Sequence, residues 1–593
     1  MHCIGKAAEI AGRASVFSRR HFAAFLLACA VGLAMVSSGV AFRIWMGSDY
    51  RGIGMVISDV SLDNAWYHAV MQEALEGGRP WNAILAENKS APYPVPDLAE
   101  RILAMPGRLL SLDSATLLLV FRFLLPALLV LSLYGISWYF TRSKLFALVA
   151  SAATTCLSFF LYSPANPFAV LFGTSQTLPY ALFDRPVHPQ FEAPLLWIFL
   201  FLAVRLVFPT AGTGRMQRVR YLQIGVVGAL LGFFTHTYFW AWTWGFAALA
   251  VLFAVCLIKK TYQGALHIVF AAGLALLIGA PKIWELASSL FVGGGSVYGA
   301  RLSVYFGHVL AARGLNLPIL ATLLLFIWRR KFASAELRTF AVAGLSATLI
   351  ALNQQIVTGI SLQPDHYTAI IGASVSAWIL TWVVWICVKN RGRFYERIFA
   401  AVIIIVSLAA VLVLQFRIFT QMRGINAGLQ DFAEVAEWLN SNADNKTAVF
   451  ANSQIGLLVP IYTRANLWWH FYAMAVPTDD VRIMHSAYTS FSLCEFTSDD
   501  IARMALRQPQ DLAQNFTLSI IKEDREGIVA ERLQRWQAGY EDFQRKQSLP
   551  EAVRAYRIDY VLYDKKLDQC DPRKIGVSEA VMENARFALY KIR

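Results

Sequence analysis

The sequence predicts a polytopic α-helical membrane protein that carries a C-terminal extracytoplasmic α/β domain. Of the 593 residues, 57% are hydrophobic and only 16% are charged, a composition that excludes an ordinary soluble globular protein. The apolar residues are grouped in about eleven segments, several of them shorter than the ~20 residues that a helix perpendicular to the bilayer needs to cross it. After the last of these segments, near residue 417, the composition becomes that of a soluble domain.

The apolar segments are the expected transmembrane helices, about eleven in number. The first is preceded by Lys6, Arg13, Arg19 and Arg20, and is too long for a typical signal-peptide core. The segments are Phe22–Trp45, Ala115–Phe140, Leu145–Tyr162, Pro194–Phe208, Tyr221–Phe234, Tyr238–Ile258, Ala265–Ile278, Leu315–Trp328, Phe340–Leu352, Tyr367–Val388 and Ile398–Phe416.

Loop charge predicts the orientation of these helices. Lys and Arg are concentrated at the N-terminus and in every second loop, whereas the other short loops carry Arg185, Lys282, Arg301 and Arg313. Because cytoplasmic loops accumulate Lys and Arg, we expect the N-terminus inside and the C-terminal domain outside a bacterial inner membrane. This topology also explains the net charge of +14, so the expected partner is the lipid bilayer and no nucleic acid is assigned.

The chain is expected to divide into two domains. Residues 1–417 would form the transmembrane domain, with a first outer loop at 46–114, and residues 418–593 a soluble extracytoplasmic domain. An amphipathic helix from Phe432 and strand-like runs at Thr447–Ala451, Ile558–Tyr563 and Phe587–Ile592 predict its α/β character. In an oxidising compartment Cys494 and Cys570 are expected to form a disulfide, although two free thiols fit the spacing almost as well.

The first outer loop concentrates ionisable residues directly after the first helix. Asp63 can cap a helix that would lie along the bilayer interface and hold Asp59, Asp63 and His68 towards an aqueous cavity. The apolar stripe of this helix consists of Tyr67, Val70, Met71 and Ala74. Either carboxylate alone could simply cap the helix or be solvated, but the cluster favours a functional site.

Three further outer loops carry polar side chains. The loop Asp184–Glu192 holds Arg185, His188 and Glu192, with prolines on both sides of His188 that restrict the backbone. His236 occupies a tight turn at the membrane face, where a structural hydrogen bond is the commoner role. The loop Asn353–His366 contains Gln355, Gln363 and His366, and its amides could bind sugar hydroxyls or stabilise an irregular backbone.

This layout resembles that of the C-type (GT-C) membrane glycosyltransferases, the superfamily of oligosaccharyltransferases, protein mannosyltransferases and aminoarabinose transferases. The resemblance rests on an acidic first outer loop with its helix, a second polar outer loop, many apolar helices and an external C-terminal domain. It implies that Asp63 or Asp59 serves as catalytic base or metal ligand. The chain lacks an Asp-x-Asp or Glu-x-Asp pair in Asp184–Glu192 and a Trp-Trp-Asp signature, so no cofactor is assigned and a divalent metal ion is only a candidate.

The expected function is transfer of a sugar from a polyprenyl-phosphate-linked donor to an extracytoplasmic acceptor. Such a donor keeps its anomeric carbon at the membrane surface, where a base must activate the acceptor hydroxyl and a cation must stabilise the departing phosphate. Arg185 is the first candidate for this cation, followed by Arg301 and Lys282. The expected substrate-binding residues are Arg185, His188, Glu192, His236, Arg301, Gln355, Gln363 and His366.

Two other classes of function remain open. A transporter or flippase for a lipid-linked or envelope glycan would usually need acidic or imidazole groups within the membrane, and the apolar segments contain no Asp or Glu. A non-enzymatic membrane assembly protein would use the outer loops only as contacts.

Overall fold

A computed structural model describes the chain apart from a set of short segments. The segments outside the description are 1–20, 58–62, 88, 90–94, 163–182, 209–213, 292–303, 307, 309, 311–315, 330–333, 363–365, 453–454, 471, 474–475, 477, 502–524, 569–571 and 593. The predicted residues Asp59, Arg301, Gln363 and Cys570 lie in these segments.

The part of the chain up to residue 428 is mainly helical. The helices are α1 (Phe22–Met46), α2 (Asp63–Leu75), α3 (Leu98–Leu110), α4 (Ser114–Thr141), α5 (Lys144–Tyr162), α6 (Glu192–Val207), α7 (Gly214–Thr235), α8 (Phe239–Ile258), α9 (Tyr262–Phe291), α10 (Asn316–Trp328), α11 (Ala335–Leu352), α12 (Gln355–Thr358), α13 (Ala373–Lys389) and α14 (Arg393–Gly428). Strands β1 (Val304–Phe306) and β2 (Ile360–Leu362) pair antiparallel. A π-helical turn, Tyr367–Gly372, precedes α13.

Apart from single end residues, each apolar segment of the sequence lies in one of these helices, and Tyr367–Val388 spans the π-helical turn and α13. Within the described residues, eight helices are long and apolar enough to cross a membrane, which confirms a polytopic helical membrane protein. The other apolar helices, such as the 16-residue α6 and the 13-residue α10, are not among these eight. The number of eleven crossings therefore stays a prediction.

Close contact between α1 and α4 depends on glycine. A Cβ atom at Gly32 would come within 2.6 Å of the Phe123 carbonyl oxygen, and one at Gly39 within 2.7 Å of Leu119 Cδ1. Small residues let helix backbones approach each other where the surrounding lipid supplies no hydrophobic driving force. This packing places α4, and the side chains it carries, directly beneath the first outer loop.

The C-terminal part contains a five-stranded sheet with helices, which confirms the predicted α/β character. The helices are α15 (Phe432–Asn442), α16 (Leu458–Tyr462), α17 (Asp480–Leu493), α18 (Arg525–Lys546) and α19 (Leu549–Arg554). The strands are β3 (Ala448–Ala451), β4 (Asn466–Leu467), β5 (Tyr560–Asp564), β6 (Val577–Glu583) and β7 (Phe587–Ile592). The sheet order is β4-β3-β5-β7-β6, with β3 parallel to β4 and β5 and the other pairs antiparallel. Cys494, just after α17, is disulfide-bonded.

The backbone that leads from α1 to α2 is held by amide side chains. The Asn426 amide receives a hydrogen bond from the Ile57 N–H and donates one to the Ile57 carbonyl, at 3.2 and 2.7 Å. One turn later, Gln430 accepts from the Arg51 N–H at 2.9 Å and donates to the Ile53 carbonyl at 2.7 Å. These bonds satisfy backbone groups that a sheet would otherwise pair, so the end of α14 fixes the start of the first outer loop.

The predicted helix at Asp63 is present, but its apolar stripe contacts protein. Tyr67, Val70 and Met71 are all buried. Val70 belongs to an apolar core shared with residues of the C-terminal sheet, and Tyr67 and Met71 pack with α3 and α4. The expectation that this stripe lies on the bilayer is therefore wrong, because the C-terminal part and α3 cover it.

Candidate active site

Asp63 and Arg185, selected separately from two outer loops, form an ion pair. Arg185 Nε donates to Asp63 Oδ2 at 2.5 Å, and Nη2 lies 3.4 Å from Oδ1. The Arg185 guanidinium also lies over the Tyr67 ring, 5.1 Å from its centroid. The two side chains keep 20% and 18% of their surface exposed, so a ligand can reach both partners.

His188 is enclosed by two carboxylates. Its Nδ1 lies 2.9 Å from Glu192 Oε1, and its Nε2 lies 2.9 Å from Glu100 Oε1 on α3. Burial disfavours the charged imidazolium, but the two carboxylates outweigh it and raise the pKa of His188 to about 10. His188 is therefore a buried cation at neutral pH that links the second outer loop to α3 and α6.

The backbone next to His188 is strained. Val187 has a φ of 63°, a left-handed conformation that is unfavourable for a β-branched residue. Such a residue costs on the order of 1–3 kcal/mol and persists only where its surroundings fix it. Here Val187 and His188 are both buried, so the ion pairs of His188 and the packing of Val187 hold the turn that presents Arg185.

His366 extends this cluster on the other side. The Tyr238 ring stacks on His188 with centroids 4.8 Å apart, and the Tyr238 hydroxyl is hydrogen-bonded to His366 Nδ1 at 2.9 Å. The His366 ring in turn stacks on Trp240 at 3.8 Å. Burial, together with the positive charges of Arg185 and His188, lowers the pKa of His366 well below its usual value. This imidazole is neutral and fixed in orientation.

A second polar layer lies beneath the Asp63–Arg185 pair. Arg122 of α4 lies with its Nε 3.7 Å from Asp184 Oδ1, and its Nη2 donates to Asn64 Oδ1. Gln415 of α14 donates to Asp184 Oδ2 at 2.8 Å. The sequence reasoning did not include these residues in the site, although a lone Arg and a lone Gln in apolar helices are a signal that could have found them.

His68 belongs to this lower layer. It is 4% exposed, and within the described residues its Nδ1 has no hydrogen-bond partner. Burial, with Arg122 and Arg43 nearby, lowers the pKa of His68 to about 3. The expectation that His68 faces an aqueous cavity beside Asp63 is wrong, because its position one turn after Asn64 points it into the protein.

A small apolar cavity of about 20 Å³ adjoins the cluster on the side of the membrane helices. It is lined mainly by apolar side chains of α6, α8 and the π-helical turn, and Glu192 and Tyr238 also line it. This space holds about one water molecule, far less than the roughly 300–1,000 Å³ of a small-molecule site.

Several predicted site residues have other contacts. The His236 side chain hydrogen-bonds the Ile278 carbonyl at 3.0 Å, as expected for a structural turn residue. Lys282 pairs with Glu285 at 2.9 Å within α9 and so lies in a helix, not in a loop. Gln355 is buried in the short helix α12. Within the described part of the chain, no three His, Cys, Asp or Glu side chains form a group that could hold a metal ion.

Comparisons with known proteins find similarity among solved structures. No family model matches the chain, and no curated protein matches it. Among solved structures, the chain is similar to the crystal structure of ArnT from Cupriavidus metallidurans bound to undecaprenyl phosphate. The sequence identity is 12% and the TM-score is 0.40, and the alignment covers 94% of this chain and 97% of that chain.

Proposed function

We propose that this protein is an integral membrane glycosyltransferase that moves a sugar from a polyprenyl-phosphate-linked donor to an extracytoplasmic acceptor. The observation that carries the proposal is the contact between Asp63 and Arg185, a carboxylate and a guanidinium from two outer loops, 2.5 Å apart and partly exposed. These are the two groups that sugar transfer from a phosphate requires: a base for the acceptor and a cation for the leaving group.

The reaction assigns one role to each group. The Asp63 carboxylate takes the proton of the acceptor hydroxyl as its oxygen attacks the anomeric carbon. The bond between that carbon and the phosphate oxygen breaks, and the polyprenyl phosphate leaves with the electron pair. Arg185 stabilises the charge that develops on the departing phosphate, and no metal-dependent step is included.

The ion pair itself fits a state without donor. A guanidinium binds a carboxylate or a phosphate with the same planar arrangement of N–H groups. The donor phosphate would therefore replace the Asp63 carboxylate on Arg185, which frees Asp63 to act as a base. His188 and His366 are linked through Tyr238, and the charge of Arg185 is close enough to lower the pKa of His366. Because Glu100 and Glu192 neutralise His188, Arg185 is the cation assigned to the phosphate.

The cavity beside Glu192 is too small, at about 20 Å³, to hold the lipid part of the donor. The polyprenyl chain would instead lie in the bilayer, with its phosphate at the level of the outer loops, where Arg185 lies. The proposed location is accordingly a bacterial inner membrane, with the N-terminus in the cytoplasm and the C-terminal part outside.

Lipids that co-purify with the protein provide the first test. Mass spectrometry of the purified wild type should detect a polyprenyl phosphate or its glycosylated form, and Arg185→Gln should retain much less of it. Arg205→Gln is the matched control, because Arg205 lies near the other end of the bundle and contacts the Tyr139 ring. The glycosylated form of the detected lipid then serves as donor in a transfer assay.

Two results would overturn this proposal. One is a wild type that carries only bulk phospholipids and forms no glycosidic bond with any polyprenyl-phosphate sugar. The other is movement of the lipid-linked glycan across vesicles without bond formation, which would establish a flippase instead.

A further inference from the structure

The two outer-loop residues of the proposed site each have a neighbour in the buried layer. Asp63 is followed by Asn64, and Arg185 is preceded by Asp184. Above, Asp63 pairs with Arg185. Below, Asn64 and Asp184 both contact the guanidinium of Arg122. One membrane-helix side chain therefore links the same two loops whose next residues are the proposed base and cation.

The lower contacts are buried and leave little freedom. The side chains of Arg122 and Asp184 are 9% and 6% exposed. Asn64 also donates to the Val56 carbonyl at 2.5 Å. Asp184 is held on its other oxygen by Gln415, whose amide oxygen accepts from the Ser38 hydroxyl at 2.5 Å. Arg122 Nε and Asp184 Oδ1 face each other at 3.7 Å without a hydrogen bond, so the amides of Asn64 and Gln415 are what hold the two charged side chains in place.

We propose that Arg122 is a positioning residue: by holding Asn64 and Asp184, it sets the separation and direction of Asp63 and Arg185. This inference rests on the proposed function. A displacement of about 1 Å at a reacting group can reduce a rate by about 100-fold. The buried guanidinium thus acts on the reaction through the two loops and touches no substrate itself.

If Arg122 had a purely structural role, removing the two buried charges together would leave the hydrogen exchange of both loops and the kcat unchanged. Arg122→Gln alone leaves Asp184 buried without its cation, so loss of folding could mask any effect on the site. The double variant Arg122→Gln with Asp184→Asn removes both charges and keeps hydrogen-bonding amides of similar size. Arg122→Lys keeps the charge but has no planar fork to hold two partners.

The experiment measures transfer kinetics and hydrogen exchange on these variants in the full-length protein, with Arg205→Gln as the control. For the double variant we expect wild-type thermal stability, faster exchange in the peptides that contain Asp63 and Arg185, and a kcat lowered by about 10- to 100-fold with little change in KM. Arg122→Lys should recover stability and only part of kcat. Arg205→Gln should match the wild type in both loops.

The outcomes separate this inference from the proposed function. If the double variant shows wild-type exchange in both loops and a wild-type kcat, Arg122 is only a stabilising residue and the inference is overturned. If the wild type transfers no sugar, the proposed function fails, while the exchange in the two loops still decides whether Arg122 positions them.

Discussion

The outer pair and the buried layer beneath it use the same chemistry in different surroundings. Asp63 and Arg185 are about one-fifth exposed and lie 2.5 Å apart. Arg122 and Asp184 are almost fully buried, lie 3.7 Å apart, and each has its own amide partner, Asn64 for Arg122 and Gln415 for Asp184. A partly exposed ion pair is easier to separate than a buried one and can exchange one partner for a ligand. A buried pair is costly to break and holds its surroundings in place.

The largest effect on stability should follow from breaking the buried pair. Asp184→Ala leaves the Arg122 guanidinium buried without a counterion, and should lower the free energy of unfolding by about 3–5 kcal/mol. Asp63→Ala removes the carboxylate of the outer pair and should cost less than Asp184→Ala, because Arg185 keeps 18% of its side-chain surface exposed and water can solvate it. Denaturant unfolding in detergent measures both. Equal losses for the two variants would remove the distinction between the layers.

The next effect is a pH dependence that comes from His188. Its pKa is raised from 6.5 in the unfolded chain to about 10 in the folded protein. The stabilisation from its charge is therefore fully present below about pH 6.5 and is lost as the pH rises towards 10. The melting temperatures of wild type and His188→Gln should differ most in mildly acidic buffer and converge as the pH approaches 10.

His485 provides a matched control for this titration. Its side chain hydrogen-bonds the Ala552 carbonyl, and burial lowers its pKa below 6.5. A lowered histidine pKa gives stabilisation that is present above the unfolded value and lost as the pH falls. The gap between wild type and His485→Gln should therefore narrow in acid, the opposite of His188. If the difference in melting temperature between wild type and His188→Gln widened with rising pH, His188 would be neutral in the folded protein.

The smallest effect should come from an ion pair on the surface. Arg101 and Asp97, at the start of α3, are 2.8 Å apart with side chains 40% and 30% exposed. Arg101→Gln should change the free energy of unfolding by less than about 1 kcal/mol, and the change should shrink further in high salt. A loss as large as that of Asp184→Ala would mean that exposure does not decide the strength of these pairs.

The sequence was sufficient for the elements whose pattern is local. The apolar segments predict the helices, and Asp63 marks the start of α2. Strand-like runs such as Phe587–Ile592 predict β7 to the residue. Periodicity of 3.6 or 2 residues is set by the chain itself, so it can be read without knowledge of the contacts.

The contacts of the site depend on packing between distant segments. The apolar stripe with Tyr67 predicts a buried face, but the covering partner is protein where lipid was expected. Glu100, Asn64 and Gln415 carry no local motif, and they belong to the cluster only because α3, α2 and α14 converge on the loop around Arg185. The burial of His68 also could not be predicted from local sequence, because it depends on which side of α2 the C-terminal part covers.

The central claim is that Asp63 acts as the base. The transfer rate of the Asp63→Asn variant tests this claim most directly. The amide keeps the size of the side chain and can still receive a hydrogen bond from Arg185, but it cannot take a proton. Transfer from the co-purified polyprenyl-phosphate donor should fall by about 100-fold or more, with stability close to that of the wild type. Asp97→Asn, a surface carboxylate at the start of α3, should transfer at the wild-type rate. A well-folded Asp63→Asn protein that keeps the full rate would contradict the account.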